Sequence, residues 1–416
     1  MPILSFLGLF GFLAICWFFS ENRKRINWQT VFVGLGLQIL LGFVVLYWKP
    51  GNQALRDLST GVDHFLNLSV AGGSFVFGVL SDSDAVGSVF GPGKGFIFAF
   101  MVLPTIIFFS AVMAVLYHLG VMQWVVKIIA STMVKFMKTS GSETLSVSAN
   151  IFVGQTEAPF LIKPFLARMT RSELMAVMTG GFATIAGGVF ALYVLFGVPA
   201  QHLIVASVMS APAALVVSKM LVPETEPSET FGKVEAKMEK TSSNLVEAAT
   251  TGTTDGLSLA LNVGAMLIAF LGLIAAVNWL LSFLTPEIAH FQQIEGLTLQ
   301  RILGWLFSPF AFLLGVEWND IPEVGQLLGL KIAVNELVAY DVLTHQVRSQ
   351  ISERSFTIAT YALCGFANLG SIGIQIGGIS ALCPERRKDL AQLAPKAMMA
   401  GAFASWMTAS VAGFLT

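Results

Sequence analysis

The stretch "NIFVGQTEAP", residues 150–159, places an asparagine, a glutamine, a threonine and a glutamate between two apolar segments. Its glycine and proline are residues that interrupt helices. An ionisable residue at the centre of a bilayer costs about 2.5–3.5 kcal/mol on insertion scales, so its presence there indicates a functional site. The stretch therefore predicts a re-entrant hairpin over residues 143–167, in which two half-helices enter the membrane and leave on the same side.

The composition around this stretch is that of a membrane protein. The 416 residues are 55% hydrophobic and only 12% charged, with a mean hydropathy of +0.74. Soluble domains contain about 25% charged residues. Continuous apolar segments of about 20 residues cross a bilayer as helices. We predict an all-α polytopic protein in a lipid bilayer, and the net charge of −1 gives no indication of nucleic-acid binding.

The apolar segments predict eight spans and an orientation. The spans lie near residues 3–19, 29–48, 95–117, 174–195, 202–222, 257–283, 355–382 and 392–415. The first is read as a retained span and not a signal peptide, because its basic cluster follows the apolar core. The basic clusters "NRKR" (22–25), "KPFLARMTR" (163–171) and "PERRK" (384–388) then share one side, which the positive-inside rule makes cytoplasmic. Both termini are expected to be external.

Other segments do not fit simple spans. Residues 121–138 carry three lysines in an apolar pattern and predict an amphipathic helix at the membrane interface. Residues 319–347 are apolar but broken by polar residues, which predicts a second re-entrant hairpin. The charge-rich residues 224–240 predict a solvated cytoplasmic linker. The three cysteines lie far apart without a metal-binding spacing, and we expect small buried side chains at Cys16, Cys364 and Cys383.

An internal repeat relates the two hairpins. "VGQTEAPF" around Glu157 is matched by "VNELVAYD" around Glu336, "TRSE" by "ERSF", and "GGFATIAGG" by "CGFANLGSIG". The three pairs keep their order and nearly the same separation. Three predicted crossings lie between the hairpins, so the second unit is expected to be inverted relative to the first. Inverted repeats with glycine-broken helices are typical of secondary transporters, which bind substrate near the midplane.

The polar residues of the two units suit a neutral, hydroxylated solute. Glu336 can accept two hydroxyl hydrogen bonds, with Asn368 and Ser371 offering more. Few cationic side chains lie at membrane depth, which disfavours anionic substrates.

Structural roles are the alternatives for the same residues. Each glutamate could pair with Lys163 or Lys331 or cap a half-helix. The glycines could serve close helix packing, and the amide and hydroxyl could form interhelical hydrogen bonds. In each unit the glutamate is accompanied by a polar cluster and followed by a glycine-rich break. This repeated combination favours a shared binding site.

Four segments carry a resemblance to a known family. "GSETLSVSANIFVGQTEAP", "MTGGFATIAGG", "VNELVAY" and "YALCGFANLGSIG" closely resemble the concentrative nucleoside transporters, from about residue 90 to the C-terminus. The resemblance implies a homotrimer in a bacterial inner membrane that takes up nucleosides with an ion. It also implies a scaffold and a transport domain. The expected division is 1–118 mainly scaffold, 119–222 first repeat, 223–256 linker, 257–283 scaffold helix and 284–416 second repeat.

The resemblance also implies roles for individual residues. Nucleobase contacts are expected at Gln155, Thr156, Glu157 and Val189, and ribose contacts at Glu336, Asn368 and Ser371 near Phe366. Sodium would be held by the side chains of Asn150 and Thr184 and the carbonyls of Val153 and Ile185. Gly154 would leave room for a larger base, which is compatible with purine as well as uridine-like nucleosides. Gly188 and Leu337 depart from the common serine and phenylalanine.

Sodium–nucleoside symport, with no cofactor besides the coupling ion, is thus the leading hypothesis. Proton coupling, with Glu157 or another carboxylate carrying the proton, is the runner-up. A membrane-embedded enzyme is disfavoured because the five histidines are scattered and none lies beside the glutamates. A passive channel is the remaining alternative.

Overall fold

The computed structural model describes residues 2–91, 95, 97–234, 242–283 and 297–416. These residues are almost entirely helical, and their one β-type contact is an isolated bridge between Ser140 and Phe231. Helices satisfy their own backbone hydrogen bonds, which a bilayer requires. The prediction of an all-α fold is confirmed.

Residues 2–91 and 97–118 form the N-terminal helices. They are α1 (Pro2–Phe18), α2 (Trp28–Gly42), α3 (Lys49–Asn67), α4 (Ser69–Phe77), α5 (Ser83–Phe90), α6 (Phe98–Met101) and α7 (Leu103–His118). A π-helical turn, Phe43–Tyr47, extends α2. Helix α3 was not predicted, because its charged and polar residues hide it from a search for continuous apolar runs.

The first repeat unit follows directly. It consists of α8 (Val121–Met137), α9 (Gly141–Ala149), α10 (Arg171–Ala183), α11 (Gly187–Leu195) and α12 (Ala200–Leu221). Helix α8 is the predicted amphipathic helix. The predicted hairpin over 143–167 is α9 followed by turns and the short 3-10 segments Ala158–Ile162 and Leu166–Arg168. The predicted span over 174–195 is two half-helices separated by residues 184–186.

After α13 (Leu245–Ser282), the second unit repeats the same order of elements. It consists of α14 (Leu299–Leu313), α15 (Ile321–Ala333), α16 (Glu336–Val342), α17 (Glu353–Leu363), α18 (Leu369–Leu382) and α19 (Arg387–Leu415). The second predicted hairpin is α15 and α16, and the predicted span over 355–382 is broken between α17 and α18. Helix α14, the counterpart of α8, was not predicted.

Helix α13 begins well before the predicted span at 257. The Asn244 side chain accepts a hydrogen bond from the backbone N–H of Glu247 and caps the helix there. The first turns of α13 contain several polar residues, so a search for continuous apolar segments does not detect them. The expected linker is therefore helical from Leu245, while its residues 235–241 lie outside the described part.

By length and hydropathy, seven helical stretches in the described residues are able to cross a membrane. Six of them match predicted spans; the seventh is Lys49–Phe90. The remaining two predicted spans are α1, with 17 residues, and the broken pair α17 and α18. The prediction of about eight crossings therefore agrees with the helices, apart from the extra stretch.

The packing divides the helices into an inner and an outer group. In their apolar windows, 89% of α12 and 83% of the stretch containing α19 are buried, against 17% of α7 and of α13. Helices α1 and α2 pack on α12 and α19, and α7 packs along α13. All three cysteines are buried and free, as expected.

The three basic clusters meet at one end of the molecule. The Glu21 carboxylate, next to "NRKR", lies 3.2 Å from Arg171 Nη2 and 2.7 Å from Lys396 Nζ. Burial raises the pKa of Glu21, but hydrogen bonds from these two cations outweigh it and hold the pKa below its usual range. Arg386 donates to the carbonyl of Met169 at 2.8 Å.

Candidate functional site

The two broken helices cross at their breaks. The backbone N–H of Phe366 donates to the carbonyl oxygen of Thr184 at 3.2 Å. Gly365 has a φ of +138°, and a Cβ there would lie 2.8 Å from the carbonyl oxygen of Phe182. Glycine is required by this conformation and by the close approach of the two backbones. The glycine-rich motifs that the repeat placed in separate units are therefore in direct contact.

The tip of the first hairpin lies against both broken helices. The N–H of Gly187 donates to the carbonyl of Phe152 at 3.2 Å, which joins the tip to the start of α11. A Cβ on Gly181 would lie 2.9 Å from Gln155 Cβ, and one on Gly378 would lie 2.6 Å from Thr156 Cγ2. Glycines in α10 and α18 therefore make room for the two polar residues of the tip.

The Glu336 carboxylate is held at the start of α16 by donors from two other helices. Tyr193 Oη donates to Oε1 at 3.0 Å, and Asn368 Nδ2 donates to Oε2 at 3.0 Å. Asn368 also caps α18, since its Oδ1 accepts from the backbone N–H of Ser371 at 2.8 Å. Glu336 is 5% exposed. The carboxylate is fixed in position, and its remaining lone pairs are available to hydroxyl groups of a ligand.

Lys331, the structural alternative as a partner of Glu336, does not form an ion pair with it. Its ammonium group donates instead to the carbonyl of Ala362 at 2.9 Å and to Ser405 Oγ at 3.0 Å. This contact satisfies a carbonyl in the last turn of α17, which the helix itself leaves without a donor. The structural alternative of a close Lys331–Glu336 pair is therefore wrong.

Asn150 and Thr184 reach the same level of the molecule. Helices α9 and α10 run side by side, with Ser142 near Glu173 and Val147 against Gly180. Asn150 and Thr184 each follow these contacts by about one turn.

The free oxygens at this level suit a hard cation. Asn150 is 1% exposed, and its Oδ1 has no hydrogen-bond partner in the described residues, whereas Nδ2 donates to the Ser146 carbonyl at 3.0 Å. Thr184 Oγ1 donates to the Gly180 carbonyl at 3.0 Å, which leaves its lone pairs free. The carbonyls of Val153 and Ile185 accept no backbone hydrogen bond from the described chain. Oxygen ligands of this kind fit a sodium ion.

Glu157 lies at the edge of this cluster and not in its interior. The residue is exposed. Its Oε2 is 2.2 Å from the position that a Cβ on Gly154 would take. The space that Gly154 leaves is therefore filled by the Glu157 carboxylate, and Glu157 does not contact Glu336 through a hydrogen bond among the described residues.

Val189 is 7% exposed on α11, and Phe366 is half-buried at the second break. The outer helices approach the same region. A Cβ on Gly187 would lie 3.0 Å from Phe109 of α7, and one on Gly188 would lie 2.6 Å from Leu259 of α13.

Sequence reasoning missed two buried polar residues at this site. Tyr193 holds Glu336, as described above. Gln375 of α18 is fully buried; its Nε2 donates to the Met178 carbonyl at 2.9 Å, and its Oε1 has no partner in the described residues. The position of Gln375 one turn after Ser371 on the same helix face was a signal that could have found it.

Two units with the same order of elements, each pairing a hairpin with a broken helix around buried polar groups, form the architecture typical of secondary transporters. Family models support this class along most of the chain. Residues 7–80 match "Na+ dependent nucleoside transporter N-terminus", residues 99–200 match "Nucleoside recognition", and residues 202–413 match "Na+ dependent nucleoside transporter C-terminus". The chain belongs to the Na+ dependent nucleoside transporter family, which confirms the resemblance.

Individual relatives agree with the family. "Sodium/nucleoside cotransporter 1" of Mus musculus is 44% identical over 99% of this chain and 64% of that protein. "Solute carrier family 28 member 3" of Homo sapiens is 43% identical over 100% of this chain and 60% of that protein. The chain thus spans just under two thirds of these curated relatives.

Solved structures match over the full length. CNTnw in an inward-facing substrate-bound state has a TM-score of 0.93 and 44% identity, covering 100% of this chain and 98% of that chain. A double variant of CNTnw in an outward-facing state also has a TM-score of 0.93, with 43% identity and the same coverage. These relatives are transporters and not enzymes.

Proposed function

We propose that this protein is a secondary active symporter that takes up nucleosides together with sodium. The observation that carries the proposal is the Glu336 carboxylate, nearly buried and held by Asn368, in a cluster joined to Thr184 through Phe366. A fixed carboxylate beside an amide and a hydroxyl suits the vicinal hydroxyls of ribose. The names of the matching family and relatives refer to sodium and nucleosides, which supports the same two ligands for this protein.

Within this proposal, each half of the nucleoside has its own group of residues. Ribose is bound by Glu336, Asn368 and Ser371 near Phe366. The base is bound by Gln155, Thr156 and Glu157 at the hairpin tip, with Val189 on α11. The buried Gln155 Oε1, which has no partner in the described residues, supports a hydrogen bond to a base N–H group. Gly154 permits purine as well as pyrimidine nucleosides once the Glu157 carboxylate moves aside.

Sodium is bound by Asn150, Thr184 and the carbonyls of Val153 and Ile185. The unpartnered Asn150 Oδ1 supports this assignment. Because the same hairpin tip carries Gln155–Glu157, a bound cation would order the tip for the substrate. Coupling then arises because each ligand favours the conformation that binds the other.

Transport proceeds by movement of the repeats, as one transport domain, against a trimeric scaffold. The expected scaffold was 1–118 and 257–283. The packing of α1 and α2 on α12 and α19 favours assigning these two helices to the moving body, with α7 and α13 in the scaffold. Large exposed apolar side chains on α13, such as Ile268 and Trp279, support contact with lipid or with other subunits.

The orientation follows from charge. Glu21, Arg171 and Arg386 lie at one end of the molecule with the basic clusters, and this end is assigned to the cytoplasm of a bacterium. The start of α1 and the end of α19 then face outwards across the inner membrane.

The test is uptake of labelled uridine into proteoliposomes with sodium or choline outside. Accumulation that requires the sodium gradient supports the proposal. Uptake that is equal in choline but follows a proton gradient would identify proton coupling instead. Equilibration without accumulation would identify a passive channel.

A further inference from the structure

Tyr193 belongs to the first repeat, yet its hydroxyl binds a residue of the second. It lies on α11 and donates to Glu336 Oε1 at 3.0 Å. Tyr193 is fully buried, and Glu336 is 5% exposed. The other carboxylate oxygen is held by Asn368 of the second unit at 3.0 Å. Each repeat therefore supplies one donor to the same carboxylate.

Helix α11 connects this hydroxyl to the candidate cation ligands. Thr184 and Ile185 lie in the break that ends immediately before α11, and Gly187 at its start is bonded to Phe152 of the hairpin tip. Tyr193 follows Gly187 by six residues, which is about 9 Å along a helix. A short helix moves as a unit, so a change at the break shifts the hydroxyl as well.

The Tyr193 ring has little freedom of its own. Its centroid lies 4.6 Å from that of Tyr340, and the hydroxyl of Tyr340 donates to the carbonyl of Thr360 at 2.7 Å. The packed ring fixes where the Tyr193 hydroxyl points. Hydrogen bonds to a carboxylate are stronger than those between neutral groups, particularly where water is excluded.

We propose that the Tyr193 hydroxyl is a positioning group that couples the cation subsite to the ribose subsite. This inference rests on the proposed function. Sodium at Asn150 and Thr184 orders the first break and fixes α11, and Tyr193 then holds Glu336 in the rotamer that accepts the ribose hydroxyls. Bound nucleoside stabilises the same arrangement and so favours sodium, as reciprocal linkage requires.

The experiment compares Tyr193→Phe with Tyr361→Phe in the whole chain. Each variant keeps its ring and loses one buried hydroxyl. The Tyr193 hydroxyl bonds Glu336, whereas the Tyr361 hydroxyl bonds His202 Nδ1 at 3.3 Å. Uridine affinity is measured by calorimetry in sodium chloride and in choline chloride at equal ionic strength. The readout is the factor by which sodium strengthens uridine binding.

We expect Tyr193→Phe to reduce this factor by about three- to tenfold, mainly by weakening binding in sodium, and Tyr361→Phe to leave it unchanged. Equal weakening with and without sodium would overturn the inference, because a purely structural contact acts in both conditions. A sodium factor of one in the unmodified protein would overturn the coupling in the proposed function as well, so the two failures are distinguishable.

A second measurement needs no variant and is independent of folding. In the unmodified protein, sodium should strengthen binding of uridine more than binding of 2′,3′-dideoxyuridine, which lacks both hydroxyls that Glu336 would accept. An identical sodium factor for the two nucleosides would contradict coupling through this carboxylate.

Discussion

The N–H of Phe366 and the carbonyl of Thr184 form a hydrogen bond of 3.2 Å between the two broken helices. Thr184 carries a candidate cation ligand, and Phe366 lies two residues before the candidate ribose ligand Asn368. A backbone hydrogen bond therefore links the candidate ion subsite directly to the segment that carries the candidate ribose subsite. Their separate roles are testable with variants that each change one group.

Replacing Glu336 by glutamine should raise the KM for uridine about tenfold or more, because hydrogen bonds to a charged acceptor are worth about 1.5–3 kcal/mol. Uptake into proteoliposomes at saturating sodium measures it. The matched control is Glu353→Gln, which neutralises an exposed carboxylate at the start of α17. Similar KM values for both variants would show that Glu336 does not bind the nucleoside.

Thr184→Val should raise the sodium concentration for half-maximal uptake about tenfold, since one oxygen ligand is lost with little change in shape. Thr179→Val is the control: Thr179 lies on α10 five residues before Thr184, is fully buried and bonds the Met175 carbonyl at 2.7 Å, as Thr184 bonds Gly180. A sodium requirement that shifts equally in both variants would indicate a general packing effect and no ion site.

Gly365→Ala should destabilise the protein by about 1–3 kcal/mol and impair transport, because an L residue is strained at a φ of +138° and its Cβ would approach the Phe182 carbonyl to 2.8 Å. Gly373→Ala in α18 meets no atom within 4 Å, so it should be neutral or stabilise the helix by up to about 1 kcal/mol. Thermal unfolding and uridine uptake measure both. Unchanged stability and uptake in Gly365→Ala would contradict the close approach of the two broken helices at Gly365.

Breaking the buried pair of Glu143 and Lys219 should cost much more than breaking an exposed one. Glu143 Oε2 lies 2.6 Å from Lys219 Nζ, with the side chains 1% and 9% exposed. Lys219→Met should lower stability by about 3–5 kcal/mol, because the Glu143 charge is left buried. Glu143→Gln should cost less, because Lys219 keeps the Glu224 carboxylate at 3.3 Å. Thermal unfolding of the purified variants in detergent measures the change.

The double variant should be more stable than Lys219→Met, since the buried Glu143 charge is then removed together with its partner. Glu353→Gln breaks the exposed pair with Arg348 and should cost less than about 1 kcal/mol. Equal losses in the buried and exposed pairs would show that Glu143 and Lys219 contribute no special stability.

Much of this architecture was predictable because the signals are local. Hydropathy marks a span without reference to the rest of the chain, and Gly365, with its φ of +138°, marks the second break through the conformation it permits. The same methods missed α3 and the first turns of α13, where polar residues lie in helices. The exposure of Glu157 over Gly154 was not predictable in this way, because it depends on how the hairpin tip packs.

The sequence by itself determined the class of fold, the approximate spans, the two repeat units and the residue types at their polar interruptions. Only the tertiary structure decided which polar groups meet. Tyr193 and Glu336 are 143 residues apart, and Gln375 and Met178 are 197 apart. The physical reason is range: backbone conformation and hydropathy are set by neighbouring residues, while a hydrogen bond between distant segments exists only after helix packing has brought its donor within about 3 Å of its acceptor.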